Sequence, residues 1–196
     1  MHNIVLDATR LIAKFQAVQD NPKLLAIPPH TRWKPPMPGV YKANVDGAVF
    51  KDQLTTGLGM IICGAVDQVV GALSQQIYAP LSALEAEAKA MEAAMIFARD
   101  VGIQEVIFER DSLQVYNCLK GCSLVPLAVG NVLECILYHF QAFRSFDFSD
   151  IKRVDNRPTH LLAHYAKSVV DFEAWVKETP SFLEAALASD VVACST

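Results

Sequence analysis

Three acidic residues stand where a charge is costly or useful. Asp46 follows the alternating segment Tyr41-Lys42-Ala43-Asn44-Val45 and precedes Gly47. It reads as a carboxylate closing a strand, although Asp-Gly is also a common turn pair. Glu87 lies in the Ala-rich segment 82–99. At about 100° per residue, Ala83, Ala90, Met91, Ala94 and Ala98 share its side of a helix, whereas Glu85, Lys89 and Glu92 fall opposite. A buried carboxylate is unfavourable unless paired, protonated or bound to a metal; a shallowly packed alanine face would leave it exposed instead. Asp111 follows Val106-Ile107-Phe108-Glu109-Arg110 and precedes Ser112. It can be a helix N-cap, or a ligand at the carboxyl end of a strand, where open α/β sheets place their sites. Three such acids, drawn together, would repel one another without a cation, and hard oxygen ligands suit Mg²⁺ or Mn²⁺. Two such ions can stabilise both the attacking and the leaving oxygen of a phosphodiester. With twenty-one acidic residues in the chain, spacing alone does not single out this trio.

The elements that must position these residues are legible as a mixed pattern. Residues 1–18 read as a short amphipathic helix with Ile4, Leu11, Ile12 and Phe15 on one face. Residues 20–39 contain Pro22, Pro28, Pro29, Pro35, Pro36 and Pro38, a density that disfavours regular structure. A boundary near Trp33 divides the chain into an N-terminal helix and linker (1–32), a domain (33–172) and a C-terminal tail (173–196). Strands are expected over 40–46, 57–65 and 69–77, the second a largely continuous apolar run as in a central strand. Short links between them suggest an antiparallel meander. A helix follows over 82–99, with Ser82 and Glu85 spaced as a capping box. Then come a strand over 104–109, helices over 112–119 and 126–143, a strand over 146–151, and a helix over 157–170 with Pro158 in its first turn. One more short helix is expected near 181–188. The sum is an α/β domain with a five-stranded sheet.

Composition narrows the class. Of 196 residues, 52% are hydrophobic and 19% charged, which suits a globular chain. No apolar stretch reaches the roughly 18 residues of a membrane span, and Asp7, Arg10 and Lys14 interrupt the N-terminal apolar residues that a secretory signal would keep continuous. The five cysteines include no CxxC pair. Reduced thiols in an intracellular compartment, nucleus or cytoplasm, are therefore expected. Seventeen basic residues against twenty-one acidic give a net charge of −4. No global field draws the chain to a polyanion, so nucleic-acid binding would need a local basic surface or bound metal.

Taken in order, these segments resemble the type-1 ribonuclease H family, in its plant-type, reverse-transcriptase-like, retroelement-related form. The resemblance runs from about residue 33 to 170. It rests on Trp33-Lys34-Pro35-Pro36, Lys42-Ala43-Asn44-Val45-Asp46-Gly47-Ala48, Gly57-Leu58-Gly59, Ala86-Glu87-Ala88 with Ala90, Glu109-Arg110-Asp111-Ser112, and Arg153-Val154-Asp155-Asn156 followed by His160, Leu162 and Ala163. It implies a ribonuclease H-like fold whose mixed sheet has the strand order 3-2-1-4-5. It implies hydrolysis of the RNA strand of RNA–DNA hybrids with two Mg²⁺ (or Mn²⁺) ions. Asp46, Glu87, Asp111 and His160 would then be the catalytic and metal-binding set. Asn156 matches a position that touches the nucleic-acid backbone or orients the last helix. Arg110, Lys152, Arg153 and Arg157 are the candidate phosphate contacts. Two departures stand out: His160 occupies a position usually held by Asp, and Asp150 lies where many active relatives carry His. His160 and His164 are four apart but enclose no Glu, so they do not form an HExxH zinc site.

Three functions fit this sequence: an active hybrid ribonuclease, a weak or inactive domain that binds nucleic acid or protein, and an interaction module in which the termini carry the function. Convergence of the three carboxylates separates the first two from the third.

Overall fold

The computed structural model describes residues 34–66, 68–119 and 123–187. The expected N-terminal helix, most of the proline-rich linker and the end of the tail lie outside the described residues.

Among the described residues, six strands form one sheet in the order β5-β4-β1-β2-β3-β6. They are β1 (Tyr41–Phe50), β2 (Thr55–Cys63), β3 (Val69–Ile77), β4 (Glu105–Arg110), β5 (Ser145–Asp150) and β6 (Phe172–Val176). β1, β2 and β3 are the expected antiparallel meander. β4 pairs parallel with β1, and β5 parallel with β4. The expected order 3-2-1-4-5 is therefore present, with one strand more. The additional strand, β6, comes from residues expected in the tail and pairs antiparallel with β3. Its residues are largely exposed on both faces, so it carries no alternation of apolar and polar residues by which a strand is recognised. β1 also runs further than expected. Asp46-Gly47 is not a turn but mid-strand, opposite Gly59 and Leu58 of β2.

Helices flank the sheet, among them α1 (Ala83–Asp100), α2 (Leu113–Leu119), α3 (Gly130–His139) and α4 (Arg157–Tyr165). α1 begins where its residues dictate. The Ser82 hydroxyl accepts from the Glu85 N–H, while the Ser82 N–H donates to the Glu85 carboxylate at 2.9 Å, a complete capping box. It ends at Gly102, whose φ of +83° lets the chain turn out of the helix. Its apolar stripe, including Met91, Ala94, Met95 and Phe97, packs with Val45, Met60 and Phe108 of the sheet and with Leu133 and Ile136 of α3 in the main core. Each large side chain buried there contributes about 1.5–3 kcal/mol. The expected long helices are shorter: α3 is flanked by 3-10 turns, and α4 passes into one at Ala166–Ser168.

α4 lies on the opposite face. Its approach depends on glycine. A Cβ on Gly59 would stand 2.3 Å from the Ala163 nitrogen and the Thr159 carbonyl oxygen, and one on Gly57 would stand 2.1 Å from the Ala163 carbonyl oxygen. Only a residue without a side chain admits backbone that close. Ser74 of β3 then donates to the Leu162 carbonyl at 2.8 Å. A second apolar cluster on this side joins Ile61 and Ala72 to Leu162 and Leu183, so residues beyond β6 also pack against the sheet.

Candidate metal centre

Strand alternation sends Asp46 and Gly47 to opposite faces. Ala48 and Phe50 pack with Ala163 of α4, and Asp46, in phase with them, meets α4 through His160. Gly47 faces α1, where a Cβ would fall 2.7 Å from the Ala86 carbonyl carbon and oxygen and 3.0 Å from the Glu87 nitrogen. The missing side chain lets the α1 backbone settle on β1 at this level. Glu87 is thereby delivered beside Asp46. Asp111 arrives from the end of β4, which pairs with β1 from Tyr41–Val106 to Asn44–Glu109.

The three carboxylates converge: each offers an oxygen, and these oxygens all lie within 4.8 Å of one another. Such spacing is short enough to share a divalent ion. Asp46 is buried, and its Oδ1 accepts from the Gly47 N–H at 3.0 Å. Its carboxyl is raised above the ordinary aspartate range, chiefly by burial and further by Asp111, while His160 opposes the shift. Glu87 is pushed up to about 8 by burial first and then by the charges of Asp46 and Asp111. Its Oε2 is buried, with no hydrogen-bond partner among the described residues. Three acids, one orphaned oxygen and a mutual repulsion are what a hard cation relieves. The donor set fits Mg²⁺ or Mn²⁺.

His160 is held differently. Its Nδ1 lies 2.9 Å from Asp46 Oδ2, and its side chain is 41% exposed. It is a hydrogen-bond partner of Asp46 and not part of the converging group, which among the described residues consists of the three carboxylates. The ring of His164 lies 4.4 Å from that of His160. Burial, then the neighbouring His160 and Lys167, hold His164 below the ordinary histidine range.

The expected nucleic-acid contacts divide. Lys152, Arg153 and Arg157 are exposed around the 3-10 turn Arg153–Asn156 and the start of α4. Asn156 is not: it is buried, and its Nδ2 donates to the Val45 carbonyl at 2.9 Å while its Oδ1 accepts from Thr159. It ties the start of α4 to β1 next to Asp46, so its expected contact with nucleic acid gives way to orienting the last helix. Arg110 is also not a surface contact. It is 1% exposed, with the guanidinium carbon 5.7 Å from the centre of the Phe148 ring. Val106, Phe108 and Arg110 alternate onto the core face of β4, and Arg110 continues that face rather than turning outward. Burial lowers its pKa to about 10, and Glu87 is the main charge opposing that fall. A cation thus sits behind the carboxylates and partly offsets their repulsion. Among the described residues, no nitrogen of its side chain has a hydrogen-bond partner.

Residue reasoning missed one further ion pair. Lys42 and Glu109 meet at 2.7 Å with both side chains buried, on the face of β1 and β4 opposite the main core. Their place on the polar side of two alternating strands was visible. That both side chains would nonetheless be buried was not.

Residues 44–166 match the reverse transcriptase-like family. A comparison with curated proteins finds no match. Among solved structures, RNase H1 from the halophilic archaeon Halobacterium salinarum aligns with a TM-score of 0.62 at 20% identity, over 66% of this chain and 98% of its own. The N-terminal RNase H domain of a Mycobacterium tuberculosis protein aligns with a TM-score of 0.60 at 19% identity, over 66% and 94%. An RNase H1 in complex with an RNA/DNA hybrid aligns with a TM-score of 0.55 at 17% identity, over 64% and 95%. The fold is shared across all three.

Proposed function

Because the chain belongs to the reverse transcriptase-like family and carries the ribonuclease H fold, we propose that it is a divalent-metal-dependent endoribonuclease acting on the RNA strand of RNA–DNA hybrids. The observation that carries this reading is the convergence of Asp46, Glu87 and Asp111 to within 4.8 Å. These three carboxylates would hold two Mg²⁺ or Mn²⁺ ions. When bound, such ions lower the pKa of water and neutralise charge on the attacking and leaving oxygens of a phosphodiester.

The protein's own groups do the rest. Asp46 and Glu87 must be ionised to serve as ligands, and the buried charge of Arg110 favours that form of Glu87. His160 fixes one oxygen of Asp46 through its 2.9 Å contact, so its role is to orient the ligand. Lys152, Arg153 and Arg157 would meet phosphates. Preference for the RNA strand would come from contacts to its 2′-hydroxyls. Asp150, raised by burial and by Asp111, is the candidate for moving a proton during product departure.

The test is cleavage of a labelled hybrid with Mg²⁺ or Mn²⁺, run beside Asp46→Asn. Wild type should cleave the RNA strand, and the variant should lose at least about a hundredfold in rate. Equal cleavage by both proteins, or none by either, defeats the assignment. A second reading, a weak or inactive module that binds nucleic acid, draws on the engagement of His160 with Asp46. It predicts hybrid binding without turnover in either metal.

A further inference from the structure

β6 forms the outer edge of the sheet, with β3 on its inner side. Two bonds at its ends fix the phase of its backbone. The Gln76 N–H donates to the Asp171 carbonyl at 2.7 Å, and the Lys177 N–H donates to the Val70 carbonyl at 3.0 Å. Bonded and unbonded positions alternate along an antiparallel ladder. Residues 171, 173, 175 and 177 therefore direct their backbone groups toward β3. Phe172, Ala174 and Val176 direct their N–H and C=O groups outward, and among the described residues no strand pairs with them.

The side chains of these same three residues share a face. Phe172 and Ala174 line a cavity of about 450 Å³ together with Leu73, Ile77, Ile96 and Phe97. Phe172 is 57% and Val176 51% exposed. Proteins usually blunt an open edge with Pro, Lys or a bulge. Phe172–Val176 carries none of these. Its one charge, Glu173, points to the other face, where it accepts from the Tyr165 hydroxyl at 3.1 Å. Asp171 and Lys177 bracket the strand, both exposed and both at positive φ.

We propose that β6 pairs antiparallel with β6 of a second copy of this chain, centred on Ala174, joining two sheets into one across a twofold axis. The occupant is identified by self-complementarity. About that centre, the outward backbone groups of Phe172 meet those of Val176, and those of Ala174 meet their own copy. Phe172 and Val176 then form an apolar cross-strand pair twice over, and Asp171 faces Lys177 twice, with opposite charges. Recentred on Glu173 or Trp175, the ladder loses the Phe172–Val176 pair. This inference stands independently of the nuclease reading.

Sedimentation velocity of the full chain over a range of concentrations tests it. Wild type should populate a dimer as concentration rises. Ala174→Pro removes an N–H that faces outward and leaves the bonds to β3 intact, so it should sediment as a monomer with an unchanged melting curve. If its melting curve shifts, Phe172→Lys serves instead, since it charges the edge without touching the backbone. Lys177→Asp sets aspartates opposite each other and should weaken the dimer by roughly tenfold. Adding Asp171→Lys to that variant should restore it. A wild type that stays monomeric throughout overturns the proposal, whether the edge is bare or covered by residues 1–33. So does a dimer that both Ala174→Pro and Phe172→Lys leave intact.

Discussion

Glu87 titrates far from where an exposed glutamate would, and the sign of the consequence is fixed. The ordinary value is 4.5, and in the folded protein it is about 8. Between those two pH values the native state keeps a proton that the unfolded chain has released. Stability therefore falls as pH rises through that window and levels off above it. Asp46, also raised, adds in the same direction. Metal-free Glu87→Gln should thus be more stable than wild type at pH 8, and the gap should close toward pH 5. Urea denaturation in a chelator across that range reads it directly. Adding Mn²⁺ should stabilise wild type, because binding to the native state alone shifts the folding equilibrium, and should stabilise the variant much less. A gap independent of pH would show that Glu87 is not held protonated by its neighbours. At this scale the sequence was a good guide to the acids: Glu87 stood out by its place on an apolar face. It was a poor guide to Arg110 and Asn156. A cation beside an acid at a strand end, and an amide near a helix start, look the same on paper whether they face solvent or the interior. Only for Arg110 did a signal exist, the two-residue period of Val106 and Phe108 carried one step further.

Whole elements are placed here by what small residues leave out. Gly57 and Gly59 admit α4, and Gly47 admits α1, so two of the helices that serve the site are positioned by missing side chains. Gly59→Ala drives a methyl into the Ala163 nitrogen and Thr159 carbonyl, backbone atoms that cannot rotate away. The helix must shift, at about 1–3 kcal/mol, and His160, one turn along from the start of α4, must move from Asp46 with it. Lower urea midpoints together with a changed His160 resonance in NMR would be the expected pair of results; a variant that loses neither shows that α4 does not rely on this contact. Ser82→Ala removes half of the capping box and should cost about 1 kcal/mol without changing metal affinity. Both α1 and the three-stranded meander were legible because their signals are local: a cap with a helical period, and runs of strand residues between turns. The sixth strand was not, since the partner that makes it a strand is β3, about a hundred residues earlier in the chain. The glycines were visible as a motif, while the reason for them, contact with α4, belongs to tertiary structure.

The molecule as a whole is mildly acidic, with a net charge of −4, and this limits how it can hold a polyanion. Arg110 is enclosed and Asn156 is engaged, which leaves Lys152, Arg153 and Arg157 as the exposed members of the candidate phosphate contacts. Counterion release makes log K fall with log salt at a slope of about −0.9 per phosphate neutralised, for duplex DNA. Three contacts therefore predict a slope no steeper than about −3 for hybrid binding, with affinity weak at physiological salt. Asp46→Asn, which on the proposed reading does not cleave, is the background for the titration, so that binding is read alone. In that background, Arg153→Ala with Arg157→Ala should flatten the slope by about 2 and weaken binding to DNA duplex and hybrid alike, because phosphate contacts carry no sequence or strand information. A tight complex whose affinity is flat in salt would mean that recognition comes from base stacking or the sugar edge. A slope much steeper than about −3 would require further cations, and would extend the binding surface beyond these three toward others such as the exposed Lys167.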